Sequence, residues 1–566
     1  MKSVFFWLIL NTSIWPYAIA QKINPLNGAL IISGSFGEPR LNHFHTGIDF
    51  TTRGKTGLSV YAFDAGYVSR IKVSAIGYGK AIYITHPNGL ISVYGHLSKF
   101  NDVIQSYVTT QQYKQQKSEL ELYPEANQFI IKKGELIAYS GNSGGSSAPH
   151  LHFEVRDAAG ESFPLNPLKY NLDLKDTIKP TFRELAIYNL NEPSDMVNPR
   201  QYNLTTYQKS YKLQQRNTPD TITIPFNQVG VGVKVHDLAN GCDSDGYFGV
   251  YRLQMNVDNI KVYEFAMNRL DFNEGRYANC HIDHKQKKKN KEQFYRCYLL
   301  PGNKAAIYDA VLNRGIIQLG KGEVKKVEII SSDYFNNTSN VVFYITTSSN
   351  GYVQAIPPIG LLVKHNESKS WGNTRIKLTF DSGTFYDETY LKIDSNKLPS
   401  AYSTSYQIHN EYTPLHKSFS LSIKLNNYNT QLPESKFVLV RIKENGSVSA
   451  YKSTVANGWV SANPKELGTF YIASDTITPK ITPTNFTPGQ STKNKMLTLK
   501  ITDNLSGIET YNFYVDNQWI VADYDAKNDL ISIDISKQLS GEHILKAVVV
   551  DAVGNKKINT FKFIKS

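Results

Sequence analysis

The chain has 566 residues, 41% hydrophobic and 20% charged, with three cysteines and a formal net charge of +13 from 62 Lys+Arg against 49 Asp+Glu. Such a length exceeds what one hydrophobic core organises, so several domains are expected. Three cysteines exclude a dense disulfide scaffold, and the basic excess favours anionic surroundings without fixing a fold.

The N-terminus has the form of an export signal. Lys2 supplies a positive start, residues 4–10 are apolar, and Ala18-Ile19-Ala20 is a small-residue cleavage site before Gln21. Residues 1–20 are therefore expected to be removed, leaving an exported chain in the periplasm or cell envelope, or secreted. The apolar run is shorter than the roughly 20 residues a membrane span needs, and no later stretch is long enough. The mature chain should thus carry no transmembrane segment. No cysteine follows the cleavage site, which leaves a lipid anchor there unsupported, and export argues against nucleic acid as a partner.

Four stretches then carry the chemistry: His45-Thr46-Gly47-Ile48-Asp49, Tyr94-Gly95-His96-Leu97, Ser140-Gly141-Asn142-Ser143-Gly144, and Pro149-His150-Leu151-His152-Phe153-Glu154. On a strand, side chains alternate, so His150, His152 and Glu154 share one face while Leu151, Phe153 and Val155 share the other. That places two imidazoles side by side above a packed core. A hydrolytic zinc takes three protein ligands and leaves a fourth position for water. His45, Asp49 and one of the paired histidines supply such a set.

These four stretches, in this order, resemble the M23 family of zinc metallopeptidases, the lysostaphin and LytM type, which cut peptide bonds in bacterial peptidoglycan. Phe36-Gly37, Val60-Tyr61-Ala62 followed by Gly66, the Gly134 turn and the small-residue loop at 141–147 extend the resemblance over residues 27–170. It implies an antiparallel β catalytic domain, one Zn2+ held by His45, Asp49 and His152, and His96 and His150 beside the attacking water and scissile carbonyl. Zinc brings the pKa of a bound water from about 16 to about 7, and a neighbouring histidine then handles protons. Which of His96 and His150 takes which role stays open. Glu154 reads either as a partner orienting a ligand imidazole or as a plain structural carboxylate. Arg40, Tyr78 and Tyr94 are nearby candidates for completing an oxyanion site.

Residues 101–128 interrupt the family pattern after His96. Their Gln- and Lys-rich centre, 111–120, predicts a short helix that either rims the cleft or is a surface excursion without a role. His43 reads as a loop residue. His281 and His284 have a metal-like spacing but no companion ligands, and read as surface residues. His236, His365, His409, His416 and His543 are isolated and read as structural. The basic run 285–291 reads as a solvated hairpin loop flanked by Cys280 and Cys297, whose pairing the odd Cys242 leaves open.

The remainder contains an internal repeat. Asp176-Thr177-Ile178-Lys179-Pro180 returns as Asp475-Thr476-Ile477-Thr478-Pro479, Gly249-Val250 with Val257-Asp258-Asn259 returns as Gly507-Ile508 with Val515-Asp516-Asn517, and Asp333 with Asn337 returns as Asp551 with Asn555. Alternating apolar residues in both copies predict half-buried strands, as in immunoglobulin-like β-sandwiches. The expected organisation is a peptidase domain over 21–174, an immunoglobulin-like sandwich over 175–350, a β-rich module over 351–474 and a second sandwich over 475–566, in a mainly β chain. Function follows as hydrolysis of peptidoglycan peptides, with the β modules serving envelope protein partners or placement. The alternative is a non-catalytic relative that binds cell wall or regulates a partner hydrolase. Such proteins lose metal ligands, whereas all three are present here.

Overall fold

The computed structural model describes residues 24–157, 163–214, 220–242, 247–348, 359–398, 402–426 and 431–566; the expected export signal, 1–20, lies outside them. The chain is mainly β, with 47% strand and 8% helix. Among the described residues, no helix is long and apolar enough to cross a membrane.

The N-terminal domain is built on a nine-stranded antiparallel sheet. Its central order is Ile48–Thr51, His150–Asp157, Leu90–Leu97, Lys80–Thr85 and Gly66–Val73. Runs such as Lys-Ala-Ile-Tyr-Ile-Thr suit a central strand because β-branched and aromatic side chains pack on a pleated surface. Ile82, Ile84, Phe50, Leu151, Phe153 and Val155 close the core beneath. The register sets His152 between Asp49 on one neighbour and Gly95 on the other.

Residues 101–128 form a helix earlier than the predicted 111–120. Helix α1 spans Asp102–Gln115, because the Asn101 side chain accepts from the Ile104 amide and Ile104 and Val108 bury into the core. Gln116 ends it in a left-handed conformation, and Leu120–Leu122 then joins the main sheet.

The described residues after the N-terminal domain are again mostly β-strand, in three successive regions. The two repeated segments share a strand order: Thr338–Thr347, Val324–Ser332, Arg252–Val257 and Ile260–Ala266 in the first, Lys556–Lys565, Gly541–Asp551, Ile508–Val515 and Gln518–Ile520 in the last. Both carry the same tight hairpin, with φ of 49° and 67° at Asp258 and Asn259 and 48° and 65° at Asp516 and Asn517. Two consecutive left-handed residues match the twist of the flanking strands. Between the copies, two five-stranded sheets enclose a separate core around Leu378, Leu421, Leu439 and Phe470.

One hydrophobic core runs without a break from the N-terminal domain into the first repeated segment, whereas the last segment has its own. At the seam Met267 packs so tightly on Gly37 that a Cβ there would lie 2.5 Å from Met267 Cγ.

Two expectations for residues 280–297 fail. The basic run forms helix α3, His284–Asn290, rather than a hairpin loop, capped by the Asp283 side chain on the Gln286 amide. Lysine stems tolerate burial when the ammonium finds oxygen, and Lys288 Nζ reaches Glu411 O in the middle module at 2.5 Å. His281 and His284 are buried, not surface residues. His281 sits among the rings of Phe44, Phe265, Tyr295 and Tyr308, and burial brings its pKa down to about 3. Cys280 and Cys297 are both buried free thiols, with Cys280 Sγ donating to Tyr277 O.

Candidate active site

The sheet register and one short turn bring four of the expected side chains to a common point. His45 enters from the turn before Ile48–Thr51, Asp49 from that strand, and His152 and His150 from the neighbouring one. The turn passes so close to His150–Asp157 that a Cβ at Gly47 would lie 2.5 Å from Phe153 O and 2.9 Å from His152 Cε1. Only glycine permits that approach. His45 Nε2, Asp49 Oδ1 and His152 Nδ1 then lie 2.8 to 3.1 Å from one another, all buried. These three residues form a group able to hold a metal ion.

The outer ring nitrogens fix which atoms face inward. His45 Nδ1 lies 2.8 Å from Ser35 O, an acceptor only, so the proton sits there and Nε2 turns a lone pair to the centre. His152 Nε2 lies 2.8 Å from Glu154 Oε1, which likewise leaves Nδ1 pointing inward. Two imidazole lone pairs and a carboxylate oxygen in one dry pocket demand a positive charge. Burial opposes protonation of His152, yet Asp49 and Glu154 outweigh it and raise its pKa to about 9. Likewise burial opposes ionisation of Asp49, but His45, His150 and His152 hold its carboxyl well below the usual range. A divalent cation satisfies the same demand through the donor set, nitrogen and carboxylate oxygen, that zinc accepts.

Glu154 resolves as a hub rather than a solvated carboxylate. Its Oε1 accepts from Thr46 Oγ1 and Tyr78 OH at 2.6 Å as well as from His152, and its Oε2 accepts from Arg156 Nε at 2.6 Å. Arg156 in turn lies over the Phe272 ring, which belongs to the first repeated segment. Thr46 and Arg156 escaped the sequence reading. Arg156 had a signal, for it continues the His150, His152, Glu154 alternation on the same strand face.

His96 and His150 flank the cluster, their ring centroids 4.7 Å apart. His96 Nδ1 donates to Ser143 O and His150 Nδ1 to Ala148 O, both at 2.8 Å, so each leaves Nε2 free of its proton. His150 Nε2 is 3.4 Å from Asp49 Oδ1. Burial first, then the neighbouring rings of His152 and His150, lower the pKa of His96 to about 3, so it is neutral at ordinary pH. Its strand breaks register opposite Ala81, and His96 takes a left-handed φ of 58°. A bulge of this type re-aims a side chain next to a site.

The oxyanion candidates sort differently. Tyr94 is fully buried with its OH accepting from Phe63 N, and Tyr78 is held by Glu154 and Thr46. Arg40 Nη2 donates to Asp49 Oδ2 at 2.9 Å and stays partly open to solvent. His43 is exposed and outside the cluster.

This assembly has counterparts elsewhere. Residues 43–115 match the model of Peptidase family M23. The N-terminal domain is thus similar to the M23 peptidases over those residues. A DD-carboxypeptidase/endopeptidase of Neisseria meningitidis is 32% identical over 146 residues, 25% of this chain and 27% of that protein. An uncharacterized metalloprotease of Haemophilus influenzae is 34% identical over 110 residues, 19% of this chain and 18% of that protein. The chain thus matches about a quarter or less of these relatives' length. Among solved structures, the catalytic domain of lysostaphin from Staphylococcus simulans is 26% identical, covering 24% of this chain and 87% of that one with a TM-score of 0.18. Residues 361–475 match a Zu5-like domain, a likeness the sequence reading of that module as simply β-rich did not contain.

The last repeated segment also reaches this M23-like domain. Lys527 Nζ donates to the carbonyls of Asn142 and Gly144, which flank Ser143, the acceptor for His96. Asp523 pairs with Lys80, Ala522 N donates to Ser118 Oγ, and Trp519 packs edge-on against Tyr113 of α1. The inserted segment therefore serves as a docking surface for that module.

Proposed function

We propose that this protein is an exported zinc metalloendopeptidase that cuts peptide cross-links in peptidoglycan. The observation that carries the reading is the convergence of His45 Nε2, Asp49 Oδ1 and His152 Nδ1, each held with its electron pair inward. These three residues would hold the ion. Zinc bound there supplies a Lewis acid and makes a water nucleophilic at neutral pH.

The remaining work falls to the chain's own residues. Glu154 orients His152, and Arg156, Thr46 and Tyr78 hold Glu154 in turn. His96 and His150 each present an unprotonated Nε2 beside the cluster, positioned to accept a proton from the attacking water and return it to the leaving amine. The low basicity of buried His96 suits it to orient the water, which leaves the more open His150 for proton delivery. The name of one relative, a DD-carboxypeptidase/endopeptidase, supports wall peptides as substrate.

The test is digestion of purified sacculi by residues 21–566, with released muropeptides analysed by mass spectrometry beside chelator and His150→Ala controls. Cleaved cross-links in the zinc-loaded protein only are expected. Unchanged muropeptides despite one bound zinc would favour a wall-binding regulator instead.

A further inference from the structure

Each repeated segment brings three aspartates together, Asp176, Asp237 and Asp333 in the first and Asp475, Asp503 and Asp551 in the last. Within each trio the ligand oxygens all lie within 4.8 Å of one another. The trios are equivalent. Asp176 and Asp475 open the repeated Asp-Thr-Ile-x-Pro, Asp237 and Asp503 follow the strands Gln228–His236 and Met496–Thr502, and Asp333 and Asp551 stand where the strands begun at Val324 and Gly541 finish.

An identical clamp holds both. Asn337 Nδ2 donates to Asp176 O at 3.0 Å and to Asp333 Oδ2 at 2.7 Å, and Asn555 Nδ2 donates to Asp475 O at 3.1 Å and to Asp551 Oδ2 at 2.7 Å. The clamp grips Asp333 and Asp551 by their carboxylates and Asp176 and Asp475 by their backbone carbonyls, and touches neither Asp237 nor Asp503. Asp237 keeps only 9% of its surface, and its Oδ1 is buried with no donor among the described residues. Asp503 Oδ1, its counterpart, is buried and unpartnered as well, although Oδ2 accepts from the Leu505 and Gly507 amides. A buried carboxylate oxygen without a donor is costly, and two copies of one fold keep that cost at the same place. Burial, with the Asp333 and Asp176 carboxylates alongside, pushes Asp237 up to about 8 against the opposing backbone hydrogen bond at Leu238.

We propose that each repeated segment binds one Ca2+, between Asp176, Asp237 and Asp333 and between Asp475, Asp503 and Asp551. Hard carboxylate and carbonyl oxygens without nitrogen or sulfur suit calcium rather than zinc, and irregular loop donors suit its flexible coordination better than the strict octahedron of magnesium. Asp176 lies where the chain leaves the N-terminal domain, and Asp475 directly after the strand Gly468–Ser474 of the middle module. The ions would therefore stiffen the joint leading into each segment. This proposal is independent of the peptidase reading.

The experiment is equilibrium dialysis of the full mature chain against radioactive Ca2+, after removal of bound metals and resupply of one equivalent of zinc. Two Ca2+ per chain are expected at millimolar calcium, falling to one in Asp237→Asn or Asp503→Asn and to none in the double variant. Fewer than two in the unaltered chain, or two retained in either variant, overturns the proposal. Thermal unfolding of the unaltered chain needs no variant: calcium should raise the midpoints of both segments. An equal rise with magnesium overturns the choice of calcium.

Discussion

The two repeated segments share strand order, hairpin and aspartate trio, yet they meet the N-terminal domain in opposite ways. The first is fused to it through a continuous apolar core and sends Phe272 against Arg156. The last keeps its own core and touches it through Lys527, Asp523, Ala522 and one ring pair. Apolar burial scales with area and is not screened, whereas exposed polar contacts are each worth about 0–1 kcal/mol. One fold thus serves as a fixed part of the N-terminal unit in one place and as a detachable neighbour in the other.

The sharpest way to break this contrast is deletion. Removing residues 475–566 should leave a folded, zinc-binding protein, whereas residues 24–174 alone should lack cooperative unfolding, as read by circular dichroism. A stable isolated 24–174 fragment would end the distinction. A finer cut is Met267→Ala, which empties space against Gly37 and should cost about 2–5 kcal/mol in denaturant unfolding of the fused unit. The transition of the last segment should not move.

Acid separates the two as well. Folded His281 has a pKa near 3 against 6.5 unfolded, so below pH 6.5 the unfolded state binds the extra proton. Stability of the fused unit should fall toward pH 3, by up to about 1.4 kcal/mol per pH unit for this one group. In the last segment, Asp516 raises the pKa of His543. Its contribution is present below pH 6.5 and is lost as pH rises through the folded value. Unfolding midpoints across pH 4 to 8 should therefore shift in opposite senses, and His281→Phe should flatten the first trend.

Smaller effects reach the site itself. Arg156→Ala frees Glu154 and should weaken zinc binding about 10- to 100-fold in chelator competition. Lys527→Ala should lower kcat about fivefold at most, because the loop holding Ser143 O under His96 loses only an exposed hydrogen bond. A loss equal to that of Arg156→Ala would mean that the last segment is as integral as the first.

The sequence exposed the cluster itself because His45 and Asp49 stand four residues apart where a turn enters a strand, and His150 and His152 share a strand face. Two of their supports were hidden: Thr46 and Tyr78 meet Glu154 only through tertiary packing, which no local pattern states, whereas Arg156 follows Glu154 on the same strand face. Alternation likewise announced the strands of the first segment without saying that their inner face continues the neighbouring core. The lysines at 285–291 misled for a related reason. Charge marks a solvated face until a partner oxygen, here on Glu411, lies within reach of each stem's tip.

His96 has a wider consequence. An L-residue is strained at φ 58° by its Cβ, a cost that asparagine eases through local hydrogen bonds and glycine avoids. His96→Asn should therefore unfold at a higher temperature than its parent while cutting nothing. Activity and robustness pull in different directions at this one position, so a lineage that stops needing the reaction gains durability by abandoning the histidine.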